Sequence, residues 1–170
     1  LTDGAPAGTY TEEQCKGFGY HLPGLFDRVI DIEHCYLQAE PSNEIRLFIK
    51  DFTMEKGLSY HNVRAHQGTM RNVIVRCNGK GEFMVIIIIN EENSIVRNEL
   101  IPALSEKFPQ IISIMLVINP KFNDTISDLP FECLKGDPYL IETMNSPRIG
   151  FEDLSFRVGP VSFFQTNVYQ

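Results

Sequence analysis

Residues 83–89 form an unbroken apolar run, Phe-Met-Val-Ile-Ile-Ile-Ile, and no other stretch restricts the fold as tightly. A run of this length, without the polar positions a half-wet helix needs, is the pattern of a central strand. Immediately upstream, Met70–Cys77 reads as a second strand. Between them Asn78-Gly79-Lys80-Gly81 supplies the Asn-Gly turn signal, so residues 70–77 and 82–90 are expected to pair as a hairpin.

The flanking periodicities build outward from that hairpin. Residues 28–33 alternate, with Ile30 and Ile32 against Asp31 and Glu33, and predict a strand. Ser42 offers an N-cap oxygen, and Ile45, Phe48, Ile49 and Phe52 follow at i, i+3, i+4 and i+7 until Gly57, which predicts a helix. Val96, Leu100, Leu104 and Phe108 mark a second helix; Pro102 must lie near its first turn or kink it, because its ring removes an amide donor. Ile111–Ile118 reads as a further strand closed by Asn119-Pro120. The order strand, helix, strand, strand, helix, strand predicts an α+β fold: a ferredoxin-like, split βαβ antiparallel sheet with two helices on one face. Residues 131–134 and 139–144, around Lys135-Gly136-Asp137-Pro138, are expected to form an extra C-terminal β-hairpin region, with one or two last strands in 150–158. Residues 1–25, interrupted by five glycines and two prolines, read as an irregular N-terminal segment. Residues 26–150 are the expected middle domain, and residues 151–170 a strand and linker.

Charge limits the function. With 170 residues and 43% of them hydrophobic the chain is long enough to bury a real core, but its formal charge of -7 argues against non-specific coating of nucleic acid, which rests on lysine and arginine. Any nucleic-acid contact must be local. Residues 56–81 are the place for it: they contain no acid, while Lys56, Arg64, Arg71, Arg76 and Lys80 are basic and His61 and His66 lie between. Such an island suits phosphate contacts; it equally suits a solvated hairpin face. Cys15, Cys35, Cys77 and Cys133 make no Cys-x-x-Cys pair, so reduced thiols in the cytoplasm are expected. The longest apolar run is far shorter than a bilayer requires. No Gly-x-Gly-x-x-Gly, Walker loop, His-Glu-x-x-His or Gly-x-Ser-x-Gly occurs, and no carboxylate pair stands out as an acid/base couple.

The C-terminal end carries the most specific pattern. Leu154, Phe156 and Val158 alternate with Ser155 and Arg157 as in a half-buried strand, which Gly159-Pro160 must end. Beyond the turn come Phe163 and Phe164 side by side, then the amides of Gln165 and Asn167. Aromatic faces beside amide donors and acceptors suit a base or a nucleotide-like cofactor; adjacent aromatics also serve as a hydrophobic plug.

The string Phe156-Arg157-Val158-Gly159-Pro160-Val161-Ser162-Phe163-Phe164-Gln165-Thr166-Asn167 resembles the signature of the S-adenosylmethionine-dependent RNA uracil-C5 methyltransferases. Gly17-Phe18-Gly19-Tyr20 and Gly68-Thr69-Met70-Arg71 resemble two further landmarks of that family. The resemblance implies that Gln165 contacts the methyl donor, S-adenosyl-L-methionine, and that Phe163 packs against the RNA target, a ribosomal or transfer RNA. It also raises the expectation that Arg71, with Arg64 and Arg76, binds RNA. In the family the signature joins a middle α/β domain to a Rossmann-like catalytic domain, where a cysteine thiolate adds to carbon 6 of uracil and a base later removes the carbon 5 proton. None of the four cysteines here has that context, so no catalytic residue is assigned and the chain is expected to be an inactive middle-domain piece. Some members hold an iron-sulfur cluster through three clustered upstream cysteines and a fourth near the position of Cys35. The upstream three are absent, so neither a cluster nor any other metal is expected. The competing expectation is a non-catalytic ferredoxin-like binding or regulatory module.

Overall fold

The computed structural model describes residues 17–146 and 151–163. The fold is mixed α/β, and the chain divides into two compact units, Leu1–Arg71 and Asn72–Gln170.

In the first unit, β1 (Tyr20–Leu22) and β2 (Leu25–Ile30) form an antiparallel ribbon. Gly19 lies against the second strand so closely that a Cβ would stand 1.8 Å from the Ile30 carbonyl oxygen. Helix α1 (Ser42–Glu55) buries Ile45 and Ile49 completely, as the spacing predicts, while Phe48 and Phe52 are half-buried beside them. Its start differs from expectation. Pro41, not Ser42, holds the N-cap position, and the Ile45 N–H that a Ser42 cap would serve already donates to the Pro41 carbonyl at 2.9 Å. Its end follows the sequence signal: Gly57 takes φ +66° and donates to the Met54 carbonyl, and Leu58 donates to the Thr53 carbonyl, the paired bonds of a Schellman cap.

The expected strand over 28–33 stops at Ile30. The buried Arg46 guanidinium of α1 donates to the carbonyls of Ile32 and Glu33, so those acceptors are taken by a side chain and not by a ladder. The strand pairs with β1 instead of entering the larger sheet, which removes the first element of a ferredoxin-like arrangement.

The four-stranded sheet has the order β3-β4-β5-β6, with β3 (Met70–Cys77), β4 (Phe83–Ile89), β5 (Ile111–Ile118) and β6 (Glu132–Lys135). The β3–β4 hairpin forms as predicted, and every residue of β4 is buried. The sheet is mixed, however, not antiparallel. A π-helical turn (Val96–Leu100) and α2 (Ile101–Lys107) carry the chain back from the end of β4, so β5 runs parallel to β4, with Ile86 opposite Met115 and Ile88 opposite Val117. Pro102 explains the wide turn: it cannot donate to the carbonyl four residues before it, and the Ile101 N–H reaches back to Val96 instead. Strand β6 runs antiparallel to β5 at the edge.

The expected hairpin between 131–134 and 139–144 does not form. The intervening turn is pinned to β5: the Ser113 hydroxyl donates to the Asp137 carbonyl at 2.6 Å, and Gly136 lies where a Cβ would meet the Ile112 carbonyl oxygen at 1.9 Å. The chain therefore leaves the sheet, and β7 (Leu140–Ser146) pairs antiparallel with β8 (Phe151–Val158) as a separate ribbon. The core of the second unit joins Met84, Ile86 and Ile88 of β4 to Met115 and Val117 of β5 and to Leu140 of the ribbon. No helix among the described residues is long and apolar enough to cross a membrane.

Truncating a residue at the middle of β4 tests this core. Ile86→Ala is expected to cost about 2–5 kcal/mol in denaturant unfolding. Ile112→Ala, on the exposed position of β5, is expected to cost less than about 1 kcal/mol. Equal losses at the two sites would contradict the buried register of the sheet.

Candidate nucleic-acid interface

The ribbon β7–β8 ends in a tight corner. The Ser162 N–H donates to the Gly159 carbonyl at 3.2 Å, and the Gly159 N–H donates to the Ser162 hydroxyl at 3.1 Å, so Gly159-Pro160-Val161-Ser162 closes on itself. Phe163 follows directly and is 93% exposed, and Val161 beside it is 54% exposed. Among the described residues Phe163 is therefore not part of the core. Phe164, Gln165 and Asn167 lie outside the described residues.

The C-terminal end of strand β3 is joined to this ribbon twice, both times at the end where Leu140 faces Val158. The Arg76 guanidinium donates from Nη1 to the Ser162 carbonyl oxygen at 2.8 Å, and burial holds its pKa below the ordinary arginine value. Two residues on, Asn78 of the β3–β4 turn donates from Nδ2 to the Ile141 carbonyl at 2.9 Å and to Glu82 at 2.7 Å. Its Oδ1 accepts from the N–H groups of Lys80 and Glu82. Glu142 is buried and accepts from the Gly79 N–H at 2.9 Å. Sequence reasoning missed this clasp of Asn78-Gly79 on Ile141-Glu142. Its only trace is an acid, Glu142, in the same register as Leu140 and Met144, where the alternation calls for an apolar residue.

Of the other basic candidates, Arg64 and Arg71 belong to the first unit. Arg64 stands on a compact turn in which the Asn62 side-chain carbonyl accepts from the N–H groups of Arg64 and Ala65, at 2.9 and 3.0 Å. Its side chain is 64% exposed, and its Nε donates to Asp27 at 2.6 Å. That bond pulls the Asp27 carboxyl below its usual pKa. Arg71 is the second residue of β3 and half-buried. Three residues before it, Gly68 takes φ +116° and passes the Tyr60 carbonyl so closely that a Cβ would stand 2.2 Å from the oxygen. The glycine of that Gly-x-x-Arg sequence is therefore required by a backbone crossing. The structure thus brings together Arg76 and the Phe163 corner, and holds Arg64 and Arg71 in the other unit.

Cys35 is half-buried, with its backbone N–H and carbonyl both bonded to the Asn43 side chain, at 2.8 and 3.2 Å. Cys15 lies outside the described residues. Among the described residues no three histidine, cysteine or acidic side chains gather as a metal would need.

Comparison with protein-family models finds no match. Curated proteins do match. The chain is 40% identical over 161 residues to an uncharacterized RNA methyltransferase of Bacteroides thetaiotaomicron, covering 93% of this chain and 34% of that protein. It is 39% identical over 165 residues to an uncharacterized RNA methyltransferase of Porphyromonas gingivalis, covering 96% of this chain and 34% of that protein. The chain thus spans about a third of the length of the curated relatives it matches. Among solved structures it is similar to the Pyrococcus abyssi tRNA (uracil-54, C5)-methyltransferase in complex with S-adenosyl-L-homocysteine. There the TM-score is 0.63 and the identity 25%, covering 89% of this chain and 34% of that one.

The Arg64–Asp27 pair is testable by titration. A carboxyl whose folded pKa is depressed favours the folded state above its unfolded pKa, and that contribution fades as pH falls through the folded value. Arg64→Ala should return the Asp27 pKa to the ordinary aspartate range in a carboxyl NMR titration. An Asp27 curve that does not move would show that the pair is absent in solution.

Proposed function

We propose, from the premise that the chain belongs with the RNA methyltransferases it matches, that it is the RNA-binding and substrate-positioning part of an S-adenosylmethionine-dependent uracil-C5 methyltransferase. In this reading residues 26–150 form the middle domain and residues 151–170 lead into a catalytic domain elsewhere in the same cytoplasmic polypeptide. Phe163 meets the target uridine, Arg64 and Arg71 take up phosphates, and the product is 5-methyluridine in ribosomal or transfer RNA. The observation that carries the reading is the solvent-open ring of Phe163, fixed at the end of a closed turn. An exposed aromatic gives an unstacked base a face to lie on, and every base has such a face.

The division of labour follows from charge. Arg64 carries its partner Asp27 at 2.6 Å, so a phosphate reaching it displaces a carboxylate and does not meet a bare cation. Base stacking and local phosphate contacts together suit a protein of charge -7 that must leave most of the RNA untouched. The methyl donor would bring the electrophilic methyl group. Gln165, the residue expected to touch it, lies outside the described residues, and no described residue is assigned to it.

In the full-length protein, Phe163→Ala should weaken binding of a uridine-containing RNA by about 5- to 150-fold, the cost of losing about 1–3 kcal/mol of stacking. The 170-residue chain alone should show no methyl transfer. Unchanged RNA affinity in Phe163→Ala, or turnover by the chain alone, would contradict the proposal.

A further inference from the structure

We propose that Arg76 is a positioning residue for the Phe163 corner and not a phosphate contact; the inference rests on the reading of Phe163 given above. Its position in a basic stretch makes Arg76 look like an RNA ligand. Its geometry serves another purpose. The guanidinium reaches across 86 positions of sequence to the carbonyl of Ser162, the peptide immediately before Phe163, at 2.8 Å. That carbonyl belongs to a turn already closed by two bonds between Gly159 and Ser162. The third bond ties the closed turn to β3, a strand of the four-stranded sheet.

The consequence is directional. The ribbon is attached to the core through Leu140 at the end where β8 finishes, while Met144, Leu154 and Phe156 toward its other end are 36% to 48% exposed. Among the described residues, the hydrogen bonds that hold the chain from Gly159 to Ser162 are those of its own turn and the one from Arg76, so removing the guanidinium is expected to free the direction in which Phe163 leaves. A charged donor on a carbonyl is a strong tether, and partial burial of Arg76 shields it from the water that would compete. The same burial makes it a poor phosphate ligand, since a phosphate contact needs an open approach.

The test uses the full-length protein and the variants Arg76→Gln, Arg76→Lys, Phe163→Ala and the Arg76→Gln/Phe163→Ala pair. Hydrogen exchange of the backbone over residues 159–163 is expected to quicken about tenfold in Arg76→Gln, with β4 unchanged. Arg76→Lys, which keeps a donor and a charge, should largely restore protection. Against a uridine-containing RNA, Arg76→Gln should weaken binding without changing the slope of log affinity on log salt, and should add nothing once Phe163 is alanine. The proposal is overturned by unchanged exchange in Arg76→Gln, by faster exchange throughout β4, by a loss that adds fully to that of Phe163→Ala, or by a slope shallower by about 0.7–0.9, the mark of one lost phosphate contact. Full RNA affinity in Phe163→Ala alone would instead remove the stacking role of Phe163, and the functional half of this inference with it, whatever the exchange rates show.

Discussion

Burial of β4 on both faces is the constraint from which the second unit follows. Seven consecutive residues from Phe83 to Ile89 are sealed from solvent, so each side of the strand must be covered and both of its ladder edges must be paired. The β3 hairpin takes one edge. The other is filled by β5, delivered by the π-turn and α2 connection in the parallel sense such a crossover imposes. Once β5 lies there, its far edge accepts only the short β6, and the pinned turn at Gly136 sends the remaining chain off the sheet. The separate ribbon is thus a consequence of a full sheet.

Strand β3 gives that ribbon its place. It belongs to the sheet through its pairing with β4, and its C-terminal end meets the ribbon twice, through the clasp of Asn78-Gly79 on Ile141-Glu142 and through Arg76. Glu142 is a charged group out of water, an arrangement that is costly unless its oxygens are bonded. The Gly79 and Thr143 amides supply those bonds. The turn that looks like a simple hairpin link is therefore also an anchor, and Asn78 serves both purposes with one side chain. The corner carrying Phe163 inherits its position from the sheet through these polar contacts and through the buried Leu140.

Elements with one dominant local signal were legible in the sequence. Strands β3 and β5 fall on the predicted residues, α1 ends just before Gly57, and Pro102 lies at the start of α2. What was not legible was which strand pairs with which, because period-two alternation says that a strand has two faces and nothing about its neighbour. The strand over 28–33 lost its last residues to Arg46, a buried side chain whose spacing on α1 gave no hint of its reach to Ile32 and Glu33. Residues 131–144 looked like a hairpin because a Gly-Asp-Pro turn separates two apolar runs; the hydroxyl of Ser113, more than twenty positions away in sequence, decided otherwise. At the site, the exposure of Phe163 and the bond from Arg76 to the Ser162 carbonyl could not be read from a count of aromatic and basic residues.

The proposed role of this chain requires Phe163 to face RNA. The direct measurement is photo-crosslinking from that position, with benzoylphenylalanine replacing Phe163 in the full-length protein, irradiated with and without a uridine-containing RNA. The expected result is a covalent protein–RNA product mapping to a uridine. Crosslinks that join position 163 only to other protein segments, unchanged by added RNA, would contradict it.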